Sequence, residues 1–288
     1  MGVVAYFNIC ILWGTSNLFT KIGVGGIPPM QFACLRFFLA GVVLLTVALL
    51  RGERLSFSPE EWKSLLKIGL LMNFLTNGCV VISNTLIDSS VVTVMMATTP
   101  IFAALFELVV GKAAKRAKTL LGMAGGFIGI LIVVLCGSGK LYANGKGVLV
   151  ILTGVLFWTT GTLYSKQKSI SGSVFSQTAV EALFSSLLFF GASRLTGSIP
   201  LSGISAEAMI PVLYLAIFDS VIGFASYIYL LKVMPASKVC TYAYINPVVA
   251  LILGNLFLKE QLIPGKILGM AIIIGSVIFI QRERPVCQ

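Results

Sequence analysis

The sequence predicts an all-α integral membrane protein with ten transmembrane helices, arranged as two inverted five-helix repeats. Three observations carry this reading. The chain is too apolar for water, its apolar runs have the length of a bilayer, and its second half repeats the order of unusual residues found in the first.

Hydrophobic residues make up 57% of the 288 residues and charged residues 11%. Soluble domains hold about 45–50% apolar and about 25% charged residues. The mean hydropathy of +0.99 points the same way. The net charge is +11, from 21 Lys and Arg against 10 Asp and Glu. These basic residues lie almost all between apolar runs, so they read as topology signals and not as a nucleic-acid surface. Histidine is absent, so any proton coupling needs a carboxylate. The six cysteines form no CxxC or zinc spacing, and no cofactor or metal is expected. The first residues lack a basic n-region and an A-x-A site, so the first helix is expected to be a retained span.

A hydrocarbon core of about 30 Å requires roughly 20 apolar residues per helix. With that length as a ruler, spans fall at 2–22, 30–50, 64–86, 89–110, 117–136, 145–165, 174–194, 208–231, 237–258 and 264–281. The third run is diluted by Asn73, Asn77 and Asn84. The fourth and ninth contain Pro100 and Pro247, and the fifth and tenth carry GxxxG pairs at Gly122/Gly126, Gly125/Gly129 and Gly265/Gly269. Such pairs let helices approach closely, so these two are expected to be scaffold. The longest connections, Arg51–Trp62 and Leu195–Glu207, are polar. With a cytoplasmic N-terminus, 14 of the basic residues fall inside and 6 outside, and Arg36 stays within a span. That bias fits an even number of spans, with both termini cytoplasmic.

Residues 88–124 align without a gap on 235–271, a shift of 147. Identical pairs include Ser90/Ser237, Val92/Val239, Pro100/Pro247, Ala103/Ala250 and Lys112/Lys259. Upstream, WGTSNLFTK at 13–21 meets WTTGTLYSK at 158–166. Shared Trp, Pro and Lys positions in one order are not cheap coincidences between greasy helices. The boundaries read as 1–140 for the first unit and 141–288 for the second. Five spans per unit is an odd number, so the second unit enters the membrane inverted, a recurring plan of secondary transporters.

The stretch WGTSNLFTKIGVGGIPPMQFACLRFFLAG (13–41) and the block MPASKVCTYAYINPVVALILGNLFLKEQLIPGKILGMAIIIGSVIFIQ (234–281) resemble the EamA family of the drug/metabolite transporter superfamily. Tyr244 to Val249 and Pro28 to Phe37 look closest to its YedA-like branch. The resemblance implies ten helices, a central cavity, and export or exchange of small metabolites or drugs across the inner (plasma) membrane of bacteria. One departure stands out: the family often has Gly-Glu-Arg after the fourth helix, and here the first half reads Gly111-Lys112-Ala113, while the second keeps Lys259-Glu260. That makes the acid a loop or cap position more than a substrate ligand.

Polar groups within spans are costly and tend to face a cavity or a partner. Trp13 and Trp158 are repeat partners, either an interfacial packing ring or the flanks of a cavity. Asn17 follows Trp13 by one turn, and Thr162 matches it after Trp158. Asn73 and Asn77 share one helix face, as interhelical glue or as pocket groups. Met95, Met96, Thr98 and Thr99 precede Pro100, and Tyr242, Tyr244 and Asn246 precede Pro247; a proline-bent helix with polar neighbours makes a pocket wall or simply a kink. Arg36, Glu107, Glu181 and Asp219 are the charges inside spans. Arg36 and Asp219 could pair with each other, or serve an anionic group and a proton respectively.

The expected function is secondary active transport of a small organic metabolite, amino acids included, by alternating access, driven by protons or by a counter-metabolite. The alternative is a channel or receptor-like module, which would show a continuous polar stripe along several helices. No catalytic set, Walker A sequence or phosphate-cradling glycine loop is present, so the chain is not expected to be an enzyme. Oligomeric state is open.

Overall fold

The computed structural model describes residues 2–53, 56–109, 117–136, 144–223, 226, 230 and 242–283. Among these the regular structure is helical. Helix α1 spans Gly2–Gly26 and α2 spans Pro29–Leu50. Helix α3 runs Pro59–Leu86 with a π-helical stretch at Gly69–Leu75. Helices α4 (Ser89–Met96) and α5 (Thr99–Val109) share the fourth apolar run. Then follow α6 (Ala117–Cys136), α7 (Gly145–Lys166), α8 (Val174–Thr196) and α9 (Ala206–Gly223), the last with a π stretch at Leu215–Gly223. Helices α10 (Tyr242–Leu258) and α11 (Pro264–Glu283) complete the described chain.

Six of these helices are long and apolar enough to cross a membrane, and four shorter apolar helices lie at the remaining expected spans. Their outward side chains include Leu121, Leu135, Leu187 and Phe257, each more than 60% exposed. In water such a surface would be a large penalty; in lipid it is matched to its solvent. The protein is therefore a multi-pass membrane protein.

Local sequence explains where the helices depart from plain runs. Helix α3 starts five residues before the expected 64, because Ser58 and Glu61 form a capping box and Pro59 supplies a helix-ready φ at the first position. Its first turns are amphipathic and precede the apolar run. The fourth run breaks at Ala97–Thr98, where Pro100 lacks an N–H and the Thr98 and Thr99 hydroxyls donate to Met95 O and Met96 O at 2.6 and 2.7 Å. Pro247, its repeat partner, does not break α10, which continues to Leu258. There the Asn246 side-chain amide donates to Tyr242 O and Cys10 O at 3.1 Å each, tying that turn to α1.

The π stretches widen their turns and release carbonyls from the usual ladder. In α3, Thr76 Oγ1 donates to Leu71 O at 2.8 Å and Asn77 Nδ2 to Met72 O at 3.2 Å. In α9, Ser220 Oγ donates to Leu215 O at 3.1 Å.

Two buried apolar clusters organise the bundle. One gathers Val92, Met95, Ile101, Val133, Ile151 and Ile273 from α4 to α7 and α11. The other gathers Phe32, Phe37, Ala182, Phe189, Val212 and Leu215 from α2, α8 and α9. Helix α6 packs along α11 at backbone range, as the GxxxG spacing predicts: a Cβ on Gly269 would lie 2.9 Å from Gly129 O. Gly129→Leu is expected to force these backbones apart and cost at least about 1–3 kcal/mol, read as a lower melting temperature of the purified protein in detergent. An unchanged melting temperature would show the contact to be looser than drawn.

Candidate functional site

Helices α1, α2, α9 and α10 converge on a buried polar group. The Arg36 guanidinium on α2 donates from Nη2 to Asp219 Oδ2 at 2.7 Å, and the two side chains are only 9% and 11% exposed. Asp219 sits within the π stretch of α9. Its backbone carbonyl accepts from Trp13 Nε1 at 3.3 Å. Thr15 and Tyr214 hydroxyls lie 2.8 Å apart, and Tyr214 stacks between Phe19 and Phe218. Trp13 meets Tyr242 edge-on, with centroids 4.8 Å apart. The structure thus joins Trp13, Arg36, Asp219 and Tyr242 in one neighbourhood, with Asn246 one turn along α10.

Asn17, one turn along α1 from Trp13, has other partners. Its Nδ2 donates to Thr93 Oγ1 at 3.0 Å, and its Oδ1 accepts from Asn84 Nδ2 at 3.2 Å. It is buried and ties α1 to α3 and α4. Asn77 donates within its own helix, and Asn73 is half-buried on the π stretch. Met96 and Thr99 are half-buried at the α4–α5 break, with Met96 against the first apolar cluster. Trp158 and Thr162 are half-buried on α7, where the Thr162 hydroxyl donates to Trp158 O at 2.8 Å. The Tyr244 and Glu107 side chains lie outside the described residues. Glu181 is half-buried on α8 beside the α3 π stretch, its backbone oxygen 3.2 Å from the position a Cβ would take on Gly69.

A second cluster was not anticipated from sequence. Glu260, in the loop after α10, reaches the N-terminus of α4 and accepts from Ser89 N and Ser89 Oγ at 2.7 Å each, from Ser90 N at 3.3 Å and from Ser90 Oγ. It caps a helix 170 residues away, which fits its reading as a cap position. Lys266, fully buried, pairs with Asp88 at 2.7 Å and lies 3.8 Å from Glu260. Lys21 Nζ donates to Ile87 O beside it. The cluster therefore joins α1, α4 and α11 through six side chains. The readable signal was Asp88-Ser89-Ser90 as a helix start; counting Lys21 and Lys266 as loop charges hid the rest.

The same loop opens at Lys259 with φ 54°. This left-handed conformation ends α10, and a side chain there costs energy that glycine avoids. Lys259→Gly is expected to stabilise the protein by about 0.5–1 kcal/mol, the left-handed penalty less the added chain entropy of glycine. Thermal melts test it; a drop in stability would mean that the Lys259 side chain contributes more than its backbone strain costs.

The EamA-like transporter family matches this chain twice, at residues 1–135 and 145–282. An uncharacterized inner membrane transporter of Escherichia coli (strain K12), YedA, is 31% identical over 96% of this chain and 89% of its own length. The uncharacterized transporter YoaV of Bacillus subtilis (strain 168) is 24% identical over 95% and 93%. An uncharacterized transporter of Archaeoglobus fulgidus is 24% identical over 94% and 95%. A solved crystal structure of a protein 17% identical superposes with a TM-score of 0.64 over 98% of both chains, a likeness of fold. With matches that cover both halves of the sequence, the chain belongs to the EamA-like transporter family.

Proposed function

We propose that this transporter is a secondary active carrier of small organic metabolites or drugs in the inner (plasma) membrane. Two five-helix units, 1–140 and 141–288, inserted in opposite orientations, alternate access to a shared central site. Both termini are cytoplasmic and net flow is export.

The observation that carries this reading is the pair of π stretches. At the repeat shift of 147, residues 69–75 fall on 216–222, inside the second stretch at Leu215–Gly223. Two copies of one pattern thus share an uncommon backbone feature, and such stretches concentrate at functional sites. The packing supports it further. Helix α1, first of its unit, lies against α9 and α10, while α7, first of the other unit, lies against α3 and the α4–α5 pair. Helix α2 pairs with α8, and α6 with α11. Each pairing exchanges or returns to itself when the units are swapped, as two states of an alternating carrier require.

Counterflow in proteoliposomes tests it. A preloaded substrate should stimulate entry of its labelled form at least severalfold. Large conductance without trans-stimulation would favour the channel reading instead.

A further inference from the structure

We propose that Arg36 is the anion-binding residue of the transport site, and that it exchanges Asp219 for the carboxylate of a small organic monoacid as Asp219 takes up a proton. The word transport rests on the carrier reading above; the exchange itself rests on the following geometry.

Arg36 is a buried arginine with a donor to spare. Nη2 holds Asp219, but Nε is buried and has no partner. The Phe37 ring, 5.3 Å from Cζ, offers no acceptor. A guanidinium presents its N–H groups as a fork that matches both oxygens of a carboxylate. A structural pair at this depth would be expected to use that fork, because an unsatisfied buried donor is costly. Asp219 takes one prong. The unspent edge is the place where a second acceptor gains most.

Charge balance fixes the acceptor. Among the described residues, the groups facing Asp219 are Arg36 from α2, Tyr214 from α9 itself, and the uncharged Trp13, Thr15 and Ser16 from α1. Arg36 and Asp219 cancel. A carboxylate arriving alone would leave one uncompensated negative charge in an apolar interior, which buried sites do not tolerate. If Asp219 accepts one proton as the carboxylate arrives, Asp219 becomes neutral and Arg36 pairs with the newcomer. The site then holds one proton and one carboxylate more than before, with its net charge unchanged, so proton and acid leave together and the acid's own outward gradient drives export. A phosphate monoester dianion would leave an excess negative charge under the same exchange, so charge selects a monoanion, and the match of the guanidinium fork to two carboxylate oxygens makes it a monocarboxylate. Trp13, Tyr214 and Phe19 give the neighbourhood aromatic faces for the acid's apolar body.

The probes are hexanoate, benzoate and phenylacetate, each beside its own carboxamide, with phenyl phosphate as a further control. Thermal stabilisation of the purified full-length protein reads binding in acid and near neutrality. The expected result is preference for at least one carboxylate over its carboxamide, stronger in acid. Arg36→Gln should weaken that carboxylate about ten- to hundredfold. Asp219→Asn should bind it with the pH dependence gone. Should Arg36→Gln fail to fold, Arg36→Lys, which keeps the charge without the fork, should bind it more weakly than wild type. The proposal is overturned if the wild type prefers no carboxylate over its amide, if phenyl phosphate binds in preference, if neither Arg36 variant loses affinity, or if Asp219→Asn keeps the pH dependence. A carboxylate that binds as expected but shows no counterflow removes the carrier reading and leaves the site. Counterflow of neutral compounds without carboxylate preference removes the site and leaves the carrier.

Discussion

Glu260→Ala is expected to cost about 3–5 kcal/mol. The Glu260 carboxylate, 6% exposed, accepts from both the backbone and the hydroxyl of Ser89 and Ser90. Removing it orphans the first N–H groups of α4, at the buried Ser89 and Ser90, and each unsatisfied buried donor costs about 1–3 kcal/mol. It also strips the negative charge from the positive end of a helix dipole. Lys266 keeps Asp88 at 2.7 Å, so its own charge stays paired and the loss stops short of a fully unpaired lysine. Ser89→Ala removes one donor and leaves the carboxylate three, so it should cost only about 1 kcal/mol. Thermal melts in detergent, followed through reaction of a thiol dye with the buried Cys10, rank the variants. If Ser89→Ala proved as damaging as Glu260→Ala, the shared carboxylate would not be the hub of the cluster.

The membrane made the coarse fold legible. Lipid requires each crossing to be a helix of about 20 apolar residues, so counting apolar residues places helices without any knowledge of tertiary structure. Pro100 announced the α4–α5 break, because a missing N–H and a ring clash act locally. The capping box at Ser58 and Glu61 was equally local, but it lay in a polar stretch assigned to a loop, so α3 began earlier than expected. Pro247 did not disrupt α10 in the same way, because Asn246 donates to the turn before it and to α1, a tertiary bond invisible to a single segment. The π stretches were illegible for a related reason. Their released carbonyls are taken by Thr76, Asn77 and Ser220, and the choice of a wide turn over a normal one depends on those partners and on the helices pressed against them.

Site residues divided along the same line. Expense marked Arg36 and Asp219 from the start: charges within apolar runs must find a partner, and the two found each other. Asn17 carried the same mark, but an amide has both donors and acceptors and can be satisfied entirely by neighbours, here Thr93 and Asn84. Cost alone does not separate a pocket group from a strut. Glu260 reads from sequence as a cap but without its partners, and Asp88 and Lys266 carry no signal because they sit at span ends, where charges are cheap. Comparison of the two halves does not expose Asp88 and Lys266 either, since at the shift of 147 they meet Pro235 and Thr119.

Arg36→Leu is expected to cost about 3–5 kcal/mol near neutrality, and Asp219→Asn added to it should recover most of that loss. The first change fills the space of the stem but orphans a buried carboxylate. Removing that charge as well leaves an apolar side chain beside an amide, and such replacements of buried pairs are often nearly neutral. The double-mutant cycle therefore isolates the price of an unpaired charge from the worth of the pair. Proton uptake offers the single variant a second escape: a protonated Asp219 is neutral, so the deficit of Arg36→Leu should shrink as the pH falls, while the double variant, which has no carboxylate at that position, should show no such recovery. Stability and transport should then part company. The double variant is expected to be well folded and to have lost carboxylate binding, because it lacks the only guanidinium in the neighbourhood among the described residues. A double variant as unstable as Arg36→Leu would mean that the arginine is held for its packing against Phe37 and not for its charge.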